Sequence, residues 1–194
     1  MKLPNLKEYY VVIFDVCSSS VFLEKLQENN KIKVWKKMWT DIFHYANKIA
    51  GERGKCKVYN FVGDGFIFLY YPFKKDSLLK FCDNLIKYVN ENLQRILLEN
   101  DIKPKRVGIT IGIDKGTLTL MRLYGSKEYM GEAINVAARL QSSLKGPEDT
   151  NTILVSEKVY EDIKPNLGDR KVRQQRQVLR NLFNDKEVDC YQIF

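Results

Sequence analysis

The chain has 194 residues, 44% of them apolar, and carries 32 Lys and Arg against 24 Asp and Glu, a net charge of +8. That length supports one sizeable domain, residues 1–194, and no run of about twenty uncharged apolar residues offers a membrane-spanning helix. The four cysteines, Cys17, Cys56, Cys82 and Cys190, form no CxxC pair, and MKLPNLKEYY lacks a signal peptide's apolar core, so a cytoplasmic protein with reduced cysteines and neither a zinc site nor a disulfide framework is expected.

The first element is an apolar strand, Tyr9 to Val16 (YYVVIFDV), which carries Asp15 near its end and runs into polar Cys17-Ser18-Ser19-Ser20. These serines suit a helix cap, and Asn29-Asn30 divides a short helix from a longer one whose apolar face is Trp35, Met38, Trp39, Ile42, Ala46 and Ile49. Val58 to Tyr71 then reads as a hairpin turning at Gly63-Asp64-Gly65, with an acid held at a glycine-flanked tip. A helix follows from about Asp76 to Glu99. Val107 to Asp114 and Thr117 to Leu123 are expected to pair around Lys115-Gly116, and Glu132 to Ser143 to form a helix packed through Ile134, Ala137, Ala138 and Leu140. A strand at Thr152 to Val155, a helix that Ser156 suits as a cap, and two strands near Val172 to Leu179 and Val188 to Ile193 complete the chain. This order predicts an α+β fold: a ferredoxin-like βαββαβ core with added C-terminal strands and helices on one face of a mainly antiparallel sheet.

Asp15 and Asp64 both end apolar strands. If those strands are neighbours, the two carboxylates meet, beside serines and a helix start, and supply the hard oxygens that Mg²⁺ or Mn²⁺ prefers. Asn135 and Arg139 lie four apart on one face of a small apolar helix, an amide and a guanidinium suited to a sugar hydroxyl and a phosphate. The basic balance favours an anionic partner, which on charge alone is a nucleotide, a nucleic acid or an anionic membrane surface. Acids beside a phosphate path repel it unless a metal intervenes, which weighs against nucleic acid. The single histidine, His44, falls on a helix and reads as structural.

VVIFDVCSSS, NFVGDGFIF, VGITIGIDKG and YMGEAINVAARLQ together resemble, in order and spacing, the catalytic domain of class III nucleotidyl cyclases. The resemblance implies a head-to-tail homodimer with active sites at the subunit interface, a nucleoside triphosphate as substrate, two Mn²⁺ or Mg²⁺ ions per site, and no nucleic-acid or membrane partner. It implies Asp15 and Asp64 as metal-binding aspartates, with the Val16 carbonyl as a further ligand. By the same resemblance Asn135 corresponds to the family's ribose-orienting asparagine and Arg139 to its transition-state arginine, both reaching in from the other subunit, and Arg180 falls near the position of a triphosphate-binding lysine. Adenylate cyclases read the base with a lysine four residues before the second metal aspartate and an acid or hydroxyl three residues before the glycine of the asparagine segment. Asn60 and Glu128 stand at those positions, with Tyr59 and Tyr129 adding bulk that suits a smaller base. The compact chain most resembles the pyrimidine cyclases of bacterial Pycsar antiphage defence, which implies UTP or CTP as substrate and a cyclic UMP or cyclic CMP product read by a separate effector protein. A purine cyclase of the same fold and a basic, non-catalytic nucleic-acid-binding domain are the rival readings.

Overall fold

The computed structural model describes residues 6–51, 54, 56–179, 185 and 187–194. Its centre is β1 (Leu6–Val16), whose apolar run is buried on both sides, as a central strand requires. Tyr10, Val12, Phe14 and Val16 face one core, while Tyr9, Val11 and Ile13 face another. After β1 come α1 (Ser19–Glu28) and α2 (Ile32–Gly51), separated at Asn29 and Asn30 as their turn-forming side chains predict. The hairpin is β2 (Cys56–Val62) and β3 (Gly65–Tyr70), closed by Gly63-Asp64 with Gly63 at φ 63°. The helix α3 (Leu78–Asn100), the strands β4 (Ile109–Leu123) and β5 (Ser126–Met130), and α4 (Glu132–Ser143) follow. Then come β6 (Thr152–Ser156), α5 (Glu157–Ile163), β7 (Val172–Val178) and β8 (Glu187–Ile193).

The sheet runs β2-β3-β1-β4-β6-β8-β7, with β5 attached to β4. Only the β4–β6 pairing is parallel among the described residues. The first four strands are the expected ferredoxin-like core, and the C-terminal strands extend it as predicted. All four cysteines are buried and free.

Three expectations change. The helices do not share one face: α1, α2, α3 and α5 cover the face of Tyr10 and Phe14, whereas α4 packs through Ala133 and Ala137 against Tyr9, Val11 and Ile13 on the other. Lys115-Gly116 is not a turn but the middle of the fifteen-residue β4, opposite Tyr10 and Tyr9. Lys115 sits there because its ammonium meets Glu8 at 3.5 Å and Asp162 at 2.9 Å, and Gly116 because a Cβ would lie 3.1 Å from Ala133 of α4. The true reversal is Tyr124-Gly125, both at positive φ, closed by the Leu123 to Ser126 pair. Ser156 precedes α5 without capping it, since its hydroxyl donates to Asp114 Oδ1 at 2.6 Å.

The contact between α4 and β4 is made at Gly112. A Cβ there would stand 2.2 Å from the Ala137 carbonyl oxygen and 2.4 Å from the Gln141 amide nitrogen, so the helix backbone rests directly on the strand. Gly112→Ala is therefore expected to destabilise the fold by about 1–3 kcal/mol through overpacking. Denaturant unfolding checks this, and Gly116→Ala, which meets only a side-chain methyl, is expected to cost less.

Candidate active site

Asp15 lies opposite Gly65 in the β1–β3 register, which brings the end of β1 beside the hairpin tip. The Val16 amide donates to the Asp64 carbonyl at 3.1 Å, and the two carboxyl groups lie within hydrogen-bonding reach of each other. The Ser19 hydroxyl donates to Asp64 Oδ2. The pair opens into a cleft of about 350 Å³ lined also by Val16, Ser18, Ser20, Arg106, Thr110, Gln141 and Lys145.

The electrostatics of this cleft are governed by the crowding of two acids. Burial pushes the Asp15 carboxyl up to about 8, and the adjacent Asp64 adds to that; the Gln141 amide and the Arg106 guanidinium act in the opposite direction. Arg106 is held in place by its own donors, Nη1 to the Lys145 carbonyl at 2.8 Å and Nε to Thr150 Oγ1 at 3.2 Å. Burial raises the thiol of Cys17, on the same cleft, and keeps it protonated, so the available donors are oxygens.

Two carboxylates with a hydroxyl and a nearby main-chain carbonyl form a donor set fitted to a hard divalent cation. Among the described residues no group of three or more His, Cys, Asp and Glu could hold a metal ion, so ions on this pair would complete their shells with water or phosphate oxygens, as Mg²⁺ commonly does.

The remaining sequence-predicted residues divide into three places. Tyr59 donates through its hydroxyl to Glu128 Oε2 at 2.8 Å and accepts from the Tyr129 amide at 2.9 Å. The β2–β3 register shifts between Val58 and Asn60; Tyr59 lies on the side of Lys57, toward Glu128 and Tyr129, while Asn60 lies exposed on a groove with Trp39, Thr40, Phe43 and Phe61. Asn135 and Arg139 are exposed on α4, with Arg139 on a cleft shared with Ser142, Lys145, Gln177 and Val178. One chain therefore does not bring Asn135 or Arg139 into the lining of the Asp15–Asp64 cleft. Arg180 lies outside the described residues.

Sequence reasoning missed Arg106, Gln141 and Lys57. Arg106 counted only toward the chain's basic balance, and it reaches the cleft because it precedes the strand that pairs with Asp15. Gln141 closes a motif already singled out for Asn135 and Arg139. The Lys57 ammonium lies 3.7 Å from the centroid of the Tyr129 ring and donates to its hydroxyl. Burial works to raise that phenol, yet the lysine brings it below the ordinary value.

No protein-family model matches this chain, and no curated protein matches it. Solved structures do. The adenylyl cyclase CyaB from P. aeruginosa is 19% identical with a TM-score of 0.75, over 98% of this chain and 96% of that one. The guanylyl cyclase Cya2 is 16% identical with a TM-score of 0.73, over 98% and 93%. The guanylate cyclase domain of RhGC from Catenaria anguillulae, in complex with GTP, is 18% identical with a TM-score of 0.69, over 97% and 98%. The chain thus has the class III cyclase fold expected from its motifs.

The raised Asp15 value fixes the sign of a pH effect. The unfolded carboxyl titrates near 3.8 and the folded one near 8, so between these values the folded chain binds the extra proton. Stability of the metal-free protein is expected to fall as pH rises through that window and to level off above it. Thermal unfolding checks this: Asp15→Asn flattens the slope, and Mn²⁺ at pH 8.5 raises the wild-type melting temperature but not that of Asp64→Ala. A flat metal-free profile contradicts it.

Proposed function

We propose that the protein is a nucleotidyl cyclase that converts a nucleoside triphosphate to its 3′,5′-cyclic monophosphate and pyrophosphate. The observation that carries the reading is the Asp15–Asp64 contact at two strand tips, inside a cleft flanked by Ser19, Arg106 and Lys145, on a fold shared with adenylyl and guanylyl cyclases. In the reaction the ribose 3′ oxygen forms a bond to the α-phosphorus in line with departing pyrophosphate, so positioning and charge neutralisation supply most of the rate. Asp15, Asp64 and the Val16 carbonyl are the residues that would hold two Mn²⁺ or Mg²⁺ ions. Such ions, when bound, lower the pKa of a ligated hydroxyl and neutralise triphosphate charge. Arg106 and Lys145 offer cationic donors to phosphate oxygens, Asn135 fixes the ribose, and Arg139 meets the charge that develops at phosphorus.

Asn135 and Arg139 are exposed and absent from the lining of their own chain's carboxylate cleft, which supports a head-to-tail homodimer in which a second copy completes each site. The exposed Met121, Leu123, Tyr124 and Met130 on the β4–β5 hairpin give that copy an apolar surface to cover.

For the base we favour a pyrimidine, UTP or CTP. Tyr59, hydrogen-bonded to Glu128 and packed on Tyr129, adds bulk of the kind that suits a smaller base, while Glu128 offers an acceptor for a uracil N3–H or a cytosine amine. Its cyclic product would act as a second messenger read by a separate effector in antiphage defence, as the sequence resemblance suggests. A purine substrate is the second reading, favoured by the named activities of the structural neighbours.

The test is incubation with each of the four ribonucleoside triphosphates and Mn²⁺ or Mg²⁺, with mass identification of products. Cyclic UMP or cyclic CMP is the expected product, cyclic AMP or cyclic GMP selects the purine reading, and no cyclic product from any of the four overturns the activity. Asp64→Ala and Arg139→Ala are each expected to lose about a hundredfold or more in turnover while remaining folded. Mixed in equal amounts, the two variants form heterodimers with one intact site, restoring about a quarter of wild-type activity; no recovery after verified subunit exchange contradicts the composite site.

A further inference from the structure

Gln141 occupies a position that neither the sequence motifs nor the proposed reaction assigns. It lies in the last turn of α4, and its backbone is pressed onto β4 because Gly112 leaves no side chain between them. Its Nε2 donates to Thr110 Oγ1 at 2.9 Å. Thr110 is buried, and in the β1–β4 register it stands directly opposite Asp15. A side-chain amide nitrogen carries two N–H bonds. With one on Thr110, the other is available to Asp15, which lines the same cleft as Gln141 and Thr110.

From this geometry we infer that Gln141 is a positioning residue for the carboxylate pair, fixing Asp15 through an uncharged donor anchored on Thr110. An amide suits the task better than a charged group. A carboxylate would add a third negative charge, and a lysine or arginine would compete with a cation for the pair. The same helix carries Arg139 two residues earlier, on its outer side, since two residues subtend about 200° of an α-helix. In the proposed dimer, α4 therefore serves two sites at once: Gln141 acts on the carboxylates of its own chain, and Arg139 acts on the substrate phosphate held by the second copy. Any displacement of α4 alters both. The inference rests on the metal-dependent reading of the Asp15–Asp64 cleft.

The experiment is Mn²⁺ binding to the full chain without nucleotide, followed by the free Mn²⁺ signal in electron paramagnetic resonance. Gln141→Met keeps the side-chain bulk and removes the donor, and it is expected to weaken Mn²⁺ binding about tenfold, the cost typical of losing a hydrogen bond to a metal-holding carboxylate. Thr110→Val leaves α4 untouched and shifts binding in the same direction by less. In turnover assays Gln141→Met raises the half-saturating Mn²⁺ concentration, and kcat recovers in excess Mn²⁺; a purely structural defect would not be rescued in this way. Binding within about twofold of wild type in Gln141→Met, beside a clear loss in Asp64→Ala, overturns the role of Gln141 and leaves the metal site standing. Unchanged binding in Asp64→Ala overturns the metal reading itself, and this inference with it.

Discussion

Two carboxyl groups at the tips of neighbouring strands, close enough to share a proton, set the terms for the rest of this molecule. Like charges in a half-buried cleft repel, so the pair must hold a proton or a cation. The antiparallel register of β1 and β3 leaves little alternative to that contact, because Asp15 falls opposite Gly65 and the Val16 amide is tied to Asp64. A Cβ at Gly65 would lie 1.9 Å from the Phe14 carbonyl oxygen, so the close approach depends on a glycine there. Around the pair the chain places a serine hydroxyl, an amide and a guanidinium, which temper the repulsion without neutralising it. Such an arrangement costs the empty fold stability, and a divalent ion with an anionic ligand would offset that cost.

The second constraint is α4. Glycine at 112 lets its backbone rest on the sheet, and small residues at 133 and 137 keep its inner face close. The helix thus has a rigid base from which Asn135 and Arg139 project outward and Gln141 projects toward Asp15. In the proposed dimer, a site completed across a symmetric interface would place its demands on both sides of one helix, and the close α4–β4 packing gives that helix little freedom to satisfy one without the other.

Much of this was legible from residue patterns. The buried run of β1, the glycine-flanked hairpin and the three-and-four spacing of α2 and α3 depend on local rules, and the structure follows them closely. Lys115-Gly116 misled because a lysine beside a glycine is good turn chemistry, while the partners that hold it in a strand, Glu8, Asp162 and Ala133, are distant in sequence. That Tyr59 rather than Asn60 meets Glu128 depends on how distant strands come together, which no single segment encodes. Arg106 and Gln141 escaped notice for the same reason, since each gains its place from a register rather than from a motif. The structural neighbours are only 16–19% identical, so what they share with this chain is the frame.

The central claim, that Asp15 and Asp64 share divalent ions, is tested most directly by anomalous diffraction from crystals grown with Mn²⁺ and a non-reacting nucleoside triphosphate analogue. The account predicts Mn²⁺ peaks bridging the two carboxylates and the triphosphate, with Arg139 of a second chain at the same phosphates. Nucleotide bound with no Mn²⁺ at these carboxylates would contradict it.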